Sequence, residues 1–298
     1  MTRRDSALAA LVALLWGLNF LAIDYGLRDV PPLLFLAIRF VAVVGVAIWF
    51  VPRPPVPWRV LAAIGLTMSL GQFGFLYLAM AAGFPTGLAS LVLQAQVVFT
   101  IVIALLALRE KPTRTQVAGV GVGVAGLVVV GLARGGHVTV GVLALMLLAA
   151  LSWACGNVIT RAAKVPGGLG ITVWSALFVP VPALLLSLVV EGPRQIAEGL
   201  AAFGWQAGLS TTYTVVFSSL VGYGIFNGLL GRNAASSVVP WILLVPVVGI
   251  CSAWLVLAER PSPGELVGGV LLLCGALVAT RVSAPVRAQE PSSLPDSV

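Results

Sequence analysis

The sequence predicts an all-α membrane protein of ten transmembrane helices, arranged as two five-helix repeats of inverted topology. Three observations carry that prediction. The chain is 59% hydrophobic and 9% charged, whereas soluble domains are about 25% charged; a water-soluble core could not enclose so much apolar residue and leave a polar surface. Long apolar runs recur from end to end, separated by short breaks bearing Pro, Gly and Arg. The phrase LREKPTRTQVAGVGVGVAGLVVV, from Leu108, returns as LAERPSPGELVGGVLLLCGALVA, from Leu257. It sets Glu110 against Glu259, Pro112 against Pro261, Gly119 against Gly268 and Gly126 against Gly275, all at one offset of 149 residues.

A bilayer core requires about 20 apolar residues per helix. On that length the spans fall at 6–26, 31–51, 59–80, 86–108 and 115–133, then at 139–161, 169–190, 206–230, 235–258 and 263–282. MTRRD ahead of the first run has the basic start of a signal peptide. The run is long, lacks a small-residue cleavage site and leads through Asp24 and Tyr25 into the next span, so it is read as a retained helix. The connections are short, which makes sequential helices antiparallel neighbours. Only 191–205 (EGPRQIAEGLAAFGW) has room for a small surface helix, and the polar, Pro/Ser-rich segment 283–298 reads as a disordered cytoplasmic tail.

Basic residues set the orientation. With the N-terminus inside, Arg3, Arg4, Arg53, Arg59, Arg109, Lys111, Arg114, Arg161, Lys164, Arg232, Arg281 and Arg287 are cytoplasmic, against Arg28, Arg134, Arg194 and Arg260 outside. The net charge of +7 therefore reports membrane orientation; the basic patch with interleaved stacking aromatics of a nucleic-acid surface is missing, and no nucleic-acid partner is expected. Glu110 then ends the fourth helix at the cytoplasmic face and Glu259 the ninth at the outer face. Five helices separate the two phrases, and an odd number inverts the second copy. The expected halves are 1–134 and 135–282, the organisation many transporters use for alternating access around a midplane site.

WGLNF at 16–20, PPL at 31–33, Arg39 in the second helix and the two Glu-basic-Pro turns resemble the EamA-type branch of the drug/metabolite transporter superfamily, over about residues 1–282. GLASLVLQAQ at 87–96, LSWACGN at 151–157, VGYGI at 221–225 and LLVPVVG at 243–249 resemble its bacterial O-acetylserine/cysteine exporter subgroup. The resemblance implies a multi-pass carrier of the bacterial inner membrane, with both termini cytoplasmic, that exports small zwitterionic amino-acid metabolites. Other metabolite classes of the superfamily (aromatic amino acids, nucleosides, drugs), a scramblase or a channel stay open as alternatives.

Polar groups at membrane depth mark the candidate substrate site. Asn19, Gln72, Gln94 and Gln96 fall near the middle of their helices, and Trp153 and Asn157 lie one turn apart on the sixth. Buried amides need partners, since leaving them unpaired in hydrocarbon costs several kcal/mol. Each alone reads first as glue between helices; as a set they outline a wet cavity for a zwitterion. Positions 94 and 96 lie about 200° apart on a helix, so one of those glutamines is expected to pack against another helix. Trp16 shares a face with Asn19, and Tyr223 with Asn227; these three, Trp16, Tyr223 and Asn227, are gate candidates. Arg39 is the one basic residue well inside a span, readable as a contact for a substrate carboxylate or as a structural anchor or ion pair, for which Asp24, at a different depth, is the candidate partner.

No Asp or Glu falls near the centre of any span, which argues against proton-for-cation antiport through a midmembrane carboxylate. The single histidine, His137, excludes a two-histidine zinc motif, and paired intramembrane aspartates are absent. No enzyme activity, metal or cofactor is expected. Gly119–Gly123 and Gly264–Gly268 are small-xxx-small pairs suited to packing within a monomer or a homodimer. Pro180, Pro182, Pro240 and Pro246 are candidate kinks.

Overall fold

The computed structural model describes residues 1–109, 112–133, 139–164, 168–233 and 235–280, and among these every regular element is a helix. That follows from the apolar composition: without water, backbone N–H and C=O groups are satisfied inside each segment. In chain order the helices are α1 (Arg3–Leu27), α2 (Pro32–Ala47), α3 (Trp58–Ala81), α4 (Thr86–Leu108), α5 (Arg114–Ala133), α6 (Val140–Ala162), α7 (Leu169–Ala176), α8 (Pro180–Val190), α9 (Gly192–Ala201), α10 (Trp205–Arg232), α11 (235–257) and α12 (Pro263–Thr280). The chain is a multi-pass membrane protein: eight of these helices are long and apolar enough to cross a bilayer, among the described residues. The pair α7 and α8, bent by 44°, makes a ninth if it is one span.

The expected second span over 31–51 is cut short. α2 holds 16 residues and ends at Ala47, because Pro52, Pro54, Pro55 and Pro57 crowd the next turns and cannot carry a helix onward. The surface helix expected within 191–205 is α9. The bend between α7 and α8 falls just before Pro180, and α11 breaks at Leu243–Leu244, ahead of Pro246. Glu110, Lys111, Arg134, His137 and the tail lie outside the described residues.

Helix ends are built from local chemistry. Thr113 Oγ1 accepts from Gln116 N (3.2 Å) while Gln116 Oε1 accepts from Thr113 N (2.9 Å), a capping box that starts α5. Ser262 and Glu265 repeat that box at α12, with Ser262 N donating to Glu265 Oε2 at 2.7 Å. Arg109 (φ 55°) and Ala258 (φ 56°) end α4 and α11 in the left-handed conformation. Two carboxylates sit on helix N-termini, where free N–H groups and the helix dipole favour negative charge. Glu191 accepts from Leu33 N and Leu34 N of α2 (2.6 and 3.2 Å), and Glu259 from Thr86 N and Gly87 N of α4 (2.9 Å each).

α5 and α12 lie against each other with almost no side chain between them. A Cβ on Gly119 would fall 2.7 Å from Gly275 O and 2.5 Å from Ala279 N; one on Gly126 would fall 2.6 Å from Gly268 O and 2.4 Å from Leu272 N. Only glycine lets two backbones approach so closely. The small-residue pairs of the sequence thus serve packing within the monomer.

Two helices widen. α3 takes π-type turns over Gly65–Gly71 and α10 over Tyr213–Gly222. Each widened stretch has a carbonyl met by a side chain from a neighbour: Ser152 Oγ donates to Thr67 O (2.8 Å) and Trp16 Nε1 to Ser218 O (3.0 Å). Such turns occur frequently at functional sites, and these two flank the cavities described next.

Candidate functional site

Two cavities adjoin inside the bundle, with Phe73 and Tyr223 on the walls of both. The smaller, about 50 Å³, is walled by α1, α3, α4, α6, α10 and α11, and Trp16, Asn19, Gln72, Gln94 and Trp153 line it. The larger, about 290 Å³, is lined by Arg39, Asn157, Ser219 and Asn227 among others, and extends to Gly168 and Leu230. α5 and α12, the glycine-packed pair, contribute to neither wall. Nine of the ten residues that the sequence marked as substrate or gate candidates therefore stand on these two walls. Gln96 stands elsewhere.

The two nearby glutamines of α4 have separate fates, as their angular separation requires. Gln94 is buried on the wall of the smaller cavity. Gln96 Oε1 accepts from Asn157 Nδ2 at 2.9 Å, tying α4 to α6. Asn157 thus both holds a neighbouring helix and reaches the larger cavity.

Three buried side-chain atoms have no hydrogen-bond partner among the described residues: Asn19 Oδ1, Gln72 Oε1 and Arg39 Nε. All three belong to residues on the cavity walls. A buried polar atom left unsatisfied costs about 1–3 kcal/mol, and native structures keep few of them. Among the described residues, such atoms are confined to these two walls.

Arg39 is 1% exposed. Its Nη1 donates to Tyr77 Oη at 2.9 Å and its Nη2 to Ser219 Oγ at 3.1 Å, while the guanidinium lies 4.2 Å from the Phe73 ring centre. No carboxylate reaches it among the described residues. Asp24, weighed as its ion-pair partner, is instead held by Arg28 (2.9 Å) and Thr86 (3.3 Å). The correction has a simple cause: Asp24 lies in the last turn of α1 and pairs with the residue one turn on.

Trp16 packs against Tyr223 (4.9 Å between ring centres) and Phe226 (5.2 Å). Since Trp16 lines the smaller cavity and Phe226 the larger, this aromatic cluster stands at their boundary. Phe73, Tyr77 and the Ser218–Ser219 pair escaped the sequence reading. One signal was present: a guanidinium inside a span requires acceptors, and hydroxyls in neighbouring spans can supply them. Which hydroxyls meet it depends on helix rotation. Among the described residues no group of three or more His, Cys, Asp or Glu gathers to hold a metal ion.

Comparison with known proteins places this architecture. The EamA-like transporter family pattern matches residues 6–132 and again 140–281, one match in each half of the chain. A "Probable amino-acid metabolite efflux pump" of Salmonella typhimurium is 42% identical, over 93% of this chain and 95% of the relative. One of the same description from Escherichia coli is 40% identical over the same shares. A "Probable terminal-alkyne amino-acid exporter" of Streptantibioticus cattleyicolor is 30% identical over 66% of this chain and 65% of the relative. A solved crystal structure superposes with a TM-score of 0.63 at 20% identity, covering 94% of this chain and 98% of that one, a likeness of fold alone. A bundle of apolar helices around cavities that carry a few polar side chains, matched twice by one family pattern and nearly end to end by two relatives, has one reading: this chain belongs to the EamA-like transporter family.

Proposed function

We propose that this transporter exports small zwitterionic amino-acid metabolites, of the O-acetylserine and cysteine type, across the bacterial inner membrane by alternating access. The observation that carries the reading is the set of orphaned polar atoms on Asn19, Gln72 and Arg39, all residues that line one pair of adjoining cavities. In this reading Arg39 receives the substrate carboxylate, the carbonyls of Asn19 and Gln72 with Gln94 receive the ammonium, and Trp153 and Asn157 complete the walls. Trp16, Tyr223 and Asn227 form the gate between the cavities. The names of the efflux-pump relatives support the substrate class.

Alternating access here means ten spans in two inverted halves, 1–134 and 135–282, with α2 and the bent α7–α8 pair each counted as a span. Local details recur at the 149-residue offset in support: the left-handed ends Arg109 and Ala258, and the capping boxes Thr113–Gln116 and Ser262–Glu265. The widened stretch Gly65–Gly71, moved by that offset, falls inside Tyr213–Gly222. The glycine contacts are reciprocal too. Gly119 meets Gly275, and their repeat equivalents Gly268 and Gly126 also meet, as a pseudo-two-fold axis between α5 and α12 requires.

The larger cavity runs toward the end that holds Arg53, Arg161 and Arg232, which basic-residue asymmetry assigns to the cytoplasm. At the other end Glu191 and Glu259 hold α2 and α4 closed against neighbouring helices. That arrangement corresponds to an inward-facing carrier awaiting cytoplasmic substrate.

The test is counterflow. Proteoliposomes preloaded with unlabelled O-acetylserine are offered radiolabelled O-acetylserine outside, with cysteine and an aromatic amino acid as competitors. Saturable uptake blocked by cysteine is the expected result. Uptake blocked chiefly by the aromatic competitor would move the substrate to another class, and unsaturable flux would replace the carrier by a pore.

A further inference from the structure

Among the described residues, the two cavities are lined by one charged side chain and none of opposite sign. Arg39 is 1% exposed and bonded only to neutral groups, Tyr77 and Ser219, with Nε unpartnered. No Asp or Glu among the described residues lines either wall. A guanidinium stays protonated in proteins, and a buried charge is normally paired. The charge of Arg39 therefore suits these cavities to a monoanion. A carboxylate supplies the charge and the acceptor atoms together, in the geometry a guanidinium fork prefers.

The other end of a zwitterion finds less. Asn19 Oδ1 and Gln72 Oε1 are neutral acceptors, and an ammonium placed on them would give up its hydration without gaining a counter-ion, while sharing the cavities with Arg39. A neutral amide N–H can donate to the same carbonyls at a far smaller desolvation cost than a charged group. Resting on the reading above that these cavities are the transport site, we propose that the carboxylate is the required feature of the substrate and the free amino group is dispensable. The site accepts carboxylates as a class, N-acylated amino acids among them, and rejects amino-acid esters and amides that keep the ammonium and lose the anion.

The experiment uses three compounds on one side chain, chosen to avoid thiol oxidation: S-methylcysteine, its N-acetyl derivative and its methyl ester. Each competes against O-acetylserine counterflow in proteoliposomes, and each is added to the purified full-length protein while its melting temperature is followed. The N-acetyl acid is expected to compete at least as well as the free amino acid and to raise the melting temperature. The ester is expected to be at least about tenfold weaker, the scale of one lost charge-assisted bond.

Arg39→Gln should abolish the advantage of the acid over the ester, and Arg39→Lys should keep part of it. Removing the Arg39 bonds also alters packing, so Gln72→Glu provides a second variant that leaves Arg39 in place. The carboxylate it adds to the cavity wall should weaken the N-acetyl acid and strengthen the ester. O-acetylserine counterflow that the ester inhibits and the N-acetyl acid does not would overturn the carboxylate proposal while leaving the exporter reading intact. Melting stabilised by the N-acetyl acid without any O-acetylserine counterflow would do the reverse. Silence of the N-acetyl acid in both measurements overturns the proposal.

Discussion

The glycine seam between α5 and α12 and the cavity walls of α1, α3, α4, α6 and α10 are built from the same kind of apolar helix and do opposite things with it. In the seam, backbone lies on backbone: positions 119, 126, 268 and 275 leave no room for a methyl group. Around the cavities, α3 and α10 widen into π-type turns and three polar atoms are left without partners. In lipid there is no hydrophobic effect to drive helices together, so close contact rests on van der Waals packing, which the seam maximises. The cavity walls forgo that packing and keep unmet hydrogen bonds, at a cost to the stability of the fold. One region packs α5 against α12 backbone on backbone; the other keeps polar atoms without partners.

The largest expected effect comes from filling the seam. Gly126→Val or Gly275→Val puts side-chain atoms into backbone less than 3 Å away, and the strain should cost about 3 kcal/mol or more. Membrane abundance and the melting temperature in detergent should both fall sharply, with counterflow per surviving molecule preserved. Gly121→Val, on the same helix but with nothing within 4 Å of its Cβ, is the control and should express normally. A seam variant with normal melting would remove the distinction between the regions.

Next in size is the polar closure at the end of the bundle opposite the larger cavity. Glu259 joins α11 to the N-terminus of α4 through two backbone N–H groups, and Glu259→Ala should cost about 1–2 kcal/mol, discounted for its partial exposure to water. Unlike a seam variant, it should also speed opening at that end, read as faster labelling of a cysteine placed at Leu88 on the neighbouring pocket wall. Unchanged labelling together with a lowered melting temperature would make Glu259 a plain helix cap.

The seam was legible in the sequence and the site only in outline, for physical reasons. The small-xxx-small pairs Gly119–Gly123 and Gly264–Gly268 declare close packing locally, without knowledge of the partner, although Gly126 and Gly275, which complete the seam, stood out in the sequence only as repeat identities. The Glu-basic-Pro turns are local in the same way. Arg39 was visible as a charge inside a span, but its partners Tyr77 and Ser219 lie on helices 38 and 180 residues away, and helix rotation decides which hydroxyl arrives. The widened turns carry no spacing signal either, because Gly65–Gly71 and Tyr213–Gly222 read as ordinary apolar helix. The length of α2 was overestimated because apolar residues continue to Val51, past the point where the clustered prolines end the helix.

The finest form of the comparison lies within two residues of α4. Gln94 lines the smaller cavity, while Gln96 accepts from Asn157 across the α4–α6 contact. Gln94→Ala should lower O-acetylserine counterflow about tenfold, the scale of one lost polar contact to a charged ligand, with membrane abundance unchanged. Gln96→Ala should lower stability by only about 0.6 kcal/mol, the average for a hydrogen bond between helices in lipid, and leave the apparent affinity for substrate near that of the wild type. Asn157→Ala, on the same bond but also on the wall of the larger cavity, should show both effects at once. In the double variant Gln96→Ala with Asn157→Ala the stability loss should be less than additive, since both changes remove the same bond, whereas the transport loss should equal that of Asn157→Ala alone. If Gln96→Ala were the variant that lost transport, the cavity wall would have to be redrawn around the opposite face of α4.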